Sequence, residues 1–330
     1  MCAHVVAVTR RIPRVGVDLL IEQPDIEVRE FDHDLPPNQE EWFALLDGAD
    51  GVLSLLSERY TGDILDRYPQ IKVLSNFGVG YDNIDVAAAT ARGVAVCNTP
   101  GVLTDATAEI AWALLMAAAR RVPEAIDFVK AGHWETWGPT SMLGQPIVGA
   151  TIGIVGYGRI GQSVARMARG FGMRVLAWDR SPSTKPQDGV EFVPLADLLT
   201  QADYISVHVP YSESTHHLID ADALTAMKPT AILVNTARGG VIDQDALVDA
   251  LRSGTIWAAG LDVTTPEPLA PDHPLVQMTN CVVLPHIGSA TITARDAMSM
   301  LAAQNLIAVL RGTQPPHIVN PSVLKPGVCE

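Results

Sequence analysis

Cysteine is scarce. The 330 residues hold four, Cys2, Cys97, Cys281 and Cys329, with no CxxC pair and no Cys/His cluster at metal-ligand spacing. That argues against a disulfide framework and against a structural zinc site, so no metal is expected and the cysteines read as reduced thiols of a cytoplasmic protein. Positive charge is also thin. Lys and Arg number 23 against 37 Asp and Glu, a net charge of −14 spread over the body of the chain. Nucleic acid and anionic membrane surfaces are therefore excluded as general partners. Long hydrophobic runs are missing as well. The longest, residues 110–119, is stopped by Arg120 and Arg121, whereas a membrane span needs about 20 residues. Residues 1–14 lack the apolar stretch of a signal peptide.

What the chain has is apolar residues in short runs. With 48% hydrophobic and 18% charged residues it can bury sizeable cores, and its length suits two domains. One series of runs, at 4–8, 51–55, 71–75 and 94–97, has turn residues and helical patterns between its members. A second series follows a Gly/Pro-rich stretch (132–149), at 151–155, 174–178, 204–209, 231–235, 258–263 and 281–284. Such alternation predicts α/β architecture, two parallel sheets with helices on both faces. Between the series, residues 104–121 read as one long helix, with Thr104 or Asp105 as N-cap and two arginines near its C-terminal end. A second apolar helix, 290–311, precedes a Pro-rich tail. Both helices are expected to bridge the two units.

After the run 151–155 comes Gly156-Tyr157-Gly158-Arg159-Ile160-Gly161 and then helical spacing. The first glycine makes the tight turn, the second lets backbone approach a pyrophosphate, and the third lets helix and strand pack closely. Free N–H groups at the helix start can hold the phosphates. A lone GxGxxG is weak, but here a strand precedes it and Asp179 ends the next strand, 23 positions past Gly156. Asp179 suits the ribose hydroxyls of NAD, while Arg180 could pair with the 2′-phosphate of NADP. NADH is the expected preference, with NADPH possible.

A nicotinamide enzyme also needs a cation to polarise its substrate, a proton donor and a group that tunes the donor. Arg238 in Asn235-Thr236-Ala237-Arg238-Gly239-Gly240, Glu267 between two prolines and His286 in Leu284-Pro285-His286-Ile287-Gly288 all lie at strand exits. Singly, each has a plainer reading: a loop ion pair, a solvated turn, a strand end. Together with Asn76-Phe77-Gly78-Val79-Gly80-Tyr81-Asp82-Asn83-Ile84-Asp85, Asn98-Thr99-Pro100-Gly101, residues 234–241 and Gly260-Leu261-Asp262-Val263, they are a specific set in a specific order. Over essentially its full length the chain resembles the D-isomer-specific 2-hydroxyacid dehydrogenases, and among them the glyoxylate/hydroxypyruvate reductases.

The resemblance implies a doubly wound, flavodoxin-like substrate domain (1–103 and 293–330) and a Rossmann cofactor domain (104–292) with a dimerisation arm near 123–148. The two crossing points would act as hinges. It implies NAD(P)H-dependent reduction of a small 2-oxo acid, glyoxylate or hydroxypyruvate, to the D-2-hydroxy acid. Arg238 would bind the substrate's carboxylate and carbonyl, and His286 would bind substrate and act as general acid. Glu267 would hydrogen-bond His286 and favour its protonated form. The amides of Gly78, Val79 and Gly80 would receive the carboxylate. Arg159, Ile160, Thr107, Val209, Pro210, Thr236, Ala237 and Asp262 match positions near the cofactor, as does His208, whose alternative reading is structural. Trp134 and Trp137 would meet a second subunit, the alternative being ordinary packing, favoured for Trp134. The Arg/Glu/His set is shared by phosphite dehydrogenases and by the corepressors that resemble these enzymes, which leaves a non-catalytic NAD-binding reading open.

Overall fold

The structure, a computed structural model, describes residues 4–180 and 189–324. Cys2 and Cys329 lie outside the described residues. The chain divides into two compact units, Met1–Leu103 with Ala290–Glu330, and Thr104–Ser289. The return crossing falls at Ala290 rather than 293, because the last helix, Ile292–Leu310 with Thr291 as its N-cap, belongs to the first unit.

The first unit is built on a parallel sheet, β1 (His4–Val8), β2 (Ile26–Glu30), β3 (Gly51–Ser54), β4 (Val73–Asn76) and β5 (Ala95–Cys97), in the order β2-β1-β3-β4-β5. This is the flavodoxin-like order, which reverses between β1 and β3. Strands β3, β4 and β5 are buried at every position. That explains their unbroken apolar character, since helices cover both faces of a parallel sheet. The run pattern does not disclose β2, whose sequence IEVRE buries only Ile26. It pairs with β1 alone, at the sheet edge, where charge is tolerated. The helices Arg14–Ile21 and Ile292–Leu310 pack on each other, so closely that a Cβ on Gly16 would lie 2.2 Å from the Ser299 carbonyl oxygen. The Pro-rich tail is put to structural use. The Val319 amide donates to the Val96 carbonyl at 2.7 Å and Ile318 bridges Cys97 in antiparallel fashion, covering the outer edge of β5.

Among the described residues the second unit carries seven parallel strands: β6 (Thr151–Val155), β7 (Arg174–Trp178), β8 (Val190–Phe192), β9 (Tyr204–Val207), β10 (Ile232–Asn235), β11 (Ala258–Leu261) and β12 (Cys281–Val283). Their order, β12-β11-β10-β9-β6-β7-β8, reverses between β6 and β9. Alternation along β6 sends Ile152 and Ile154 into one core with Leu115 and Ala165, and Val155 into another with Leu198 and Leu233. Each of the fully buried Val, Leu and Ile side chains contributes roughly 1.5–3 kcal/mol. Strand β8, three residues at the edge, is the other element that periodicity misses.

The long helix runs Thr104–Ala119 and stops two residues before the expected end, because Arg121 adopts a left-handed backbone with φ of 53°. Thr104–Ala119 packs in the second unit on the helix Arg159–Gly170 and on β10 and β11, while Ile292–Leu310 packs in the first on β3 and β4. Among the described residues no helix is long and apolar enough to cross a membrane.

Candidate active site

The C-terminal end of β6 turns through Gly156, whose φ of 98° few side chains tolerate. A Cβ there would stand 2.7 Å from the Val209 amide nitrogen, so the turn and the exit of β9 lie against each other at the point where strand order reverses. In open α/β sheets that crevice is where ligands collect. Gly158 has open space where a Cβ would be, while a Cβ on Gly161 would meet the Gly156 carbonyl oxygen at 2.2 Å. Arg159 and Ile160 start the helix that follows. Asp179, just past β7, accepts the Tyr157 N–H through Oδ2 at 3.0 Å, which ties the acidic residue to the turn. Arg180 donates to Ser214 Oγ at 2.8 Å. Open backbone at Gly158, a helix start and an adjacent carboxylate fit a dinucleotide.

Next to this turn, His208 Nε2 is 2.8 Å from Ser206 Oγ. Burial pushes the His208 imidazole down to about 3, so it is neutral at ordinary pH. Thr107 and Thr236 are buried, and Thr236 Oγ1 lies 3.5 Å from His208 Nδ1. Val209 is buried as well, while the Pro210 carbonyl accepts from Thr215 Oγ1 at 2.7 Å.

Arg238 follows β10 in a loop shaped by a residue whose role the motif does not announce. Asn235, 1% exposed, accepts the Ala237 N–H at 2.9 Å and donates to the Arg238 carbonyl at 2.8 Å. Gly239 is required by close approach, since a Cβ would sit 2.1 Å from the Thr264 carbonyl carbon. The Arg238 loop is thereby pressed on the segment that leads to Glu267. That segment is held from below by Gln244, which accepts the Thr265 N–H at 2.8 Å and donates to the Thr265 carbonyl.

Glu267 Oε1 lies 3.0 Å from His286 Nδ1, both side chains partly exposed. With Nδ1 engaged, Nε2 is the nitrogen left to meet a substrate. His286 has a left-handed backbone, φ 54°. Asp262 holds it there by gripping three successive amides. Its carbonyl accepts from His286 N–H at 3.0 Å, Oδ1 from Ile287 N–H at 2.8 Å and Oδ2 from Gly288 N–H at 2.7 Å. Asp262 is 1% exposed. Burial lifts its carboxyl above the ordinary range, and the two N–H bonds pull against that rise. The sequence reading places Asp262 near the cofactor, and its grip on the histidine loop is a role that sequence did not disclose.

In the first unit, Gly78, Val79 and Gly80 follow β4, with Gly78 buried and the next two half-exposed. Asn76 and Asn83 brace this turn and the one after β3: Asn76 Nδ2 donates to the Gly80 carbonyl at 2.7 Å, and Asn83 Nδ2 to the Leu55 and Glu58 carbonyls at 3.0 Å each. The described cysteines, Cys97 and Cys281, are buried, and burial pushes each thiol up to about 12, so neither serves as a nucleophile at neutral pH. Trp134 and Trp137 are 66% and 79% exposed, which counts against core packing for Trp134 and leaves packing within the arm as its alternative.

The profile for the D-isomer specific 2-hydroxyacid dehydrogenase NAD binding domain matches residues 112–288. A glyoxylate reductase of Thermococcus onnurineus is 47% identical, with 98% of each chain covered. A solved structure of a Thermus thermophilus protein superposes with a TM-score of 0.90 at 45% identity, covering 96% of this chain and 99% of that one. An NADPH-dependent glyoxylate/hydroxypyruvate reductase of Sinorhizobium meliloti, solved with NADP and malonate, gives 0.85 at 32% identity and covers 98% of each chain.

Proposed function

This chain belongs to the D-isomer-specific 2-hydroxyacid dehydrogenase family, and from that premise we propose that it reduces glyoxylate or hydroxypyruvate to the D-2-hydroxy acid, with NADH preferred over NADPH. The observation that carries the reading is the 3.0 Å pair of Glu267 Oε1 and His286 Nδ1. The turn 156–161 and the helix start behind it would hold a nicotinamide dinucleotide, which would supply the hydride that the carbonyl carbon accepts. Arg238 pairs with the substrate's carboxylate and polarises its carbonyl oxygen. His286, protonated, donates from Nε2 to that oxygen as negative charge develops on it, and ends neutral. Glu267 balances the imidazolium before transfer and orients the ring through Nδ1. Asp179, beside the Gly156 turn, is the group that favours a ribose with two free hydroxyls over one bearing phosphate.

The acid, Arg238 and the carboxylate pair are shared with phosphite chemistry, so the deciding experiment is loss of NADH and NADPH absorbance against glyoxylate, hydroxypyruvate, pyruvate, 2-oxogluconate, phosphite and formate. Strong turnover of glyoxylate or hydroxypyruvate is expected. Tight NADH binding without turnover of any of them would turn the reading into a nucleotide-sensing module.

A homodimer in the cytoplasm completes the reading. The helix Val122–Lys130 buries none of its residues, and its Val122, Ile126 and Val129 are exposed together with Trp134, Trp137, Leu143 and Val148. So much apolar surface on one segment suits a second copy of the chain. Sedimentation should give twice the mass of 35.3 kDa. A monomer at micromolar concentration would sink this part.

A further inference from the structure

The turn Gly78-Val79-Gly80 is held by its carbonyls, all of which point into the first unit. The Gly78 carbonyl accepts the Thr99 N–H at 2.9 Å, the Val79 carbonyl accepts Asn98 Nδ2 at 2.8 Å, and the Gly80 carbonyl accepts Asn76 Nδ2 at 2.7 Å. In a trans peptide the C=O of one residue and the N–H of the next point in opposite directions. Three carbonyls drawn inward therefore turn the N–H groups of Val79, Gly80 and Tyr81 outward. These residues are half-exposed or exposed, and consecutive amides facing one way form an anion-binding concavity.

Two side chains set this orientation, and they differ in what else they hold. Asn76 also bonds Ser54 and Asn83, so it ties β3, β4 and the following turn together. Among the described residues Asn98 directs its donor to Val79 alone, and its backbone is fixed from behind. Its carbonyl accepts Asn305 Nδ2 at 3.1 Å, and Asn305, fully buried, accepts the His317 N–H at 3.0 Å. A line of amides thus runs from the C-terminal segment through Asn305 and Asn98 to the Val79–Gly80 peptide.

Resting on the proposed reduction of a 2-oxo acid, we infer that Asn98, backed by Asn305, is a positioning residue for the substrate carboxylate: it holds the Val79 carbonyl inward and so aims the Gly80 N–H at the anion. Asn98→Asp keeps the shape but replaces the donor by an oxygen that repels the Val79 carbonyl. Asn98→Ser keeps a donor on a shorter stem.

The test measures kcat and KM for the 2-oxo acid, KM for NADH, the inhibition constant of oxamate and thermal melting for wild type, Asn98→Asp, Asn98→Ser and Asn305→Ala. Loss of an interaction common to ground and transition states raises KM and leaves kcat. Asn98→Asp is expected to raise the KM for the 2-oxo acid and the oxamate constant together by about tenfold or more, the size of a lost hydrogen bond to a charged group. The kcat and the KM for NADH should stay near wild type, Asn98→Ser should recover part of the loss, and Asn305→Ala should follow Asn98→Asp more weakly. An unchanged oxamate constant overturns the assignment. So does a loss that affects NADH and oxamate alike, or failure of both Asn98 variants to fold, since either makes Asn98 a scaffold residue. If the wild type reduces no 2-oxo acid, the functional reading falls instead, and oxamate affinity measured by calorimetry still decides the role of Asn98.

Discussion

Glu267 and His286, 19 positions apart in the chain (286 − 267), meet at 3.0 Å through Oε1 and Nδ1, and each reaches the other from a separate strand exit. Glu267→Gln keeps a hydrogen-bonding group but removes the charge that balances an imidazolium. The kcat for reduction should fall by about 10²-fold, the low end of what general acid catalysis supplies, and His286→Ala should cost more. NADH affinity should stay as it is in both. Steady-state kinetics check this, and a Glu267→Gln enzyme with full kcat would remove Glu267 from the mechanism.

Asp262 prepares that pair from inside the second unit. Asp262→Asn replaces an oxygen that accepts an N–H, from Ile287 or Gly288, with an amide nitrogen that cannot. A buried donor left unpaired costs about 1–3 kcal/mol. Thermal melting should drop and kcat should fall several-fold or more, because the left-handed backbone of His286 loses its restraint. A variant that loses stability yet keeps kcat would show that the histidine finds its place without this grip.

Asp179 sits beside the Gly156 turn, with Arg180 next in sequence and directed to Ser214. Asp179→Ser removes the carboxylate that would face a 2′-phosphate and leaves the guanidinium to pair with it. The ratio of kcat/KM for NADPH to that for NADH should rise by more than tenfold. An unchanged ratio would mean that neither residue reads the ribose.

His208 makes stability depend on pH in a known direction. Its folded-state imidazole is pushed down to about 3 by burial, whereas an unfolded-chain histidine takes its proton near 6.5. Below about 6.5 the unfolded state therefore binds a proton that the folded state refuses, and stability falls as pH drops, until about 3. Each pH unit in that window costs on the order of 1 kcal/mol. Urea midpoints at pH 7 and pH 5 should differ, and the difference should shrink in His208→Gln. If the slope is the same in both proteins, His208 is not its source.

Much of the fold was legible because its information is local. A parallel strand covered on both faces must be apolar throughout, so runs such as TIGIV and ILVN announce themselves. The charged edge strand Ile26–Glu30 did not, since a strand with one neighbour and one buried residue carries no such run. The glycine turn was equally readable, because positive φ at Gly156 and contact at Gly161 are demands made within a few residues of the motif. Arg238, Glu267 and His286 stand out by their places after strands, but their roles and the pairing of Glu267 with His286 were expected from the family resemblance, since nothing local says that those two side chains meet.

The roles that sequence reasoning passed over belong to residues whose partners lie far along the chain. Asp262 bonds amides 25 and 26 positions away, and Asn98 is anchored by Asn305, 207 positions away. An aspartate ending a strand or an asparagine before a threonine looks the same whether it caps a turn or aims another loop. The amino-acid order alone determined the two parallel sheets and the dinucleotide turn, since these follow from periodicity and from backbone demands felt locally, while the roles expected of Arg238, Glu267 and His286 came from the family resemblance. Only the tertiary structure decided which oxygen faces which N–H, because a hydrogen bond depends on distance and angle in space, and separation along the chain carries neither.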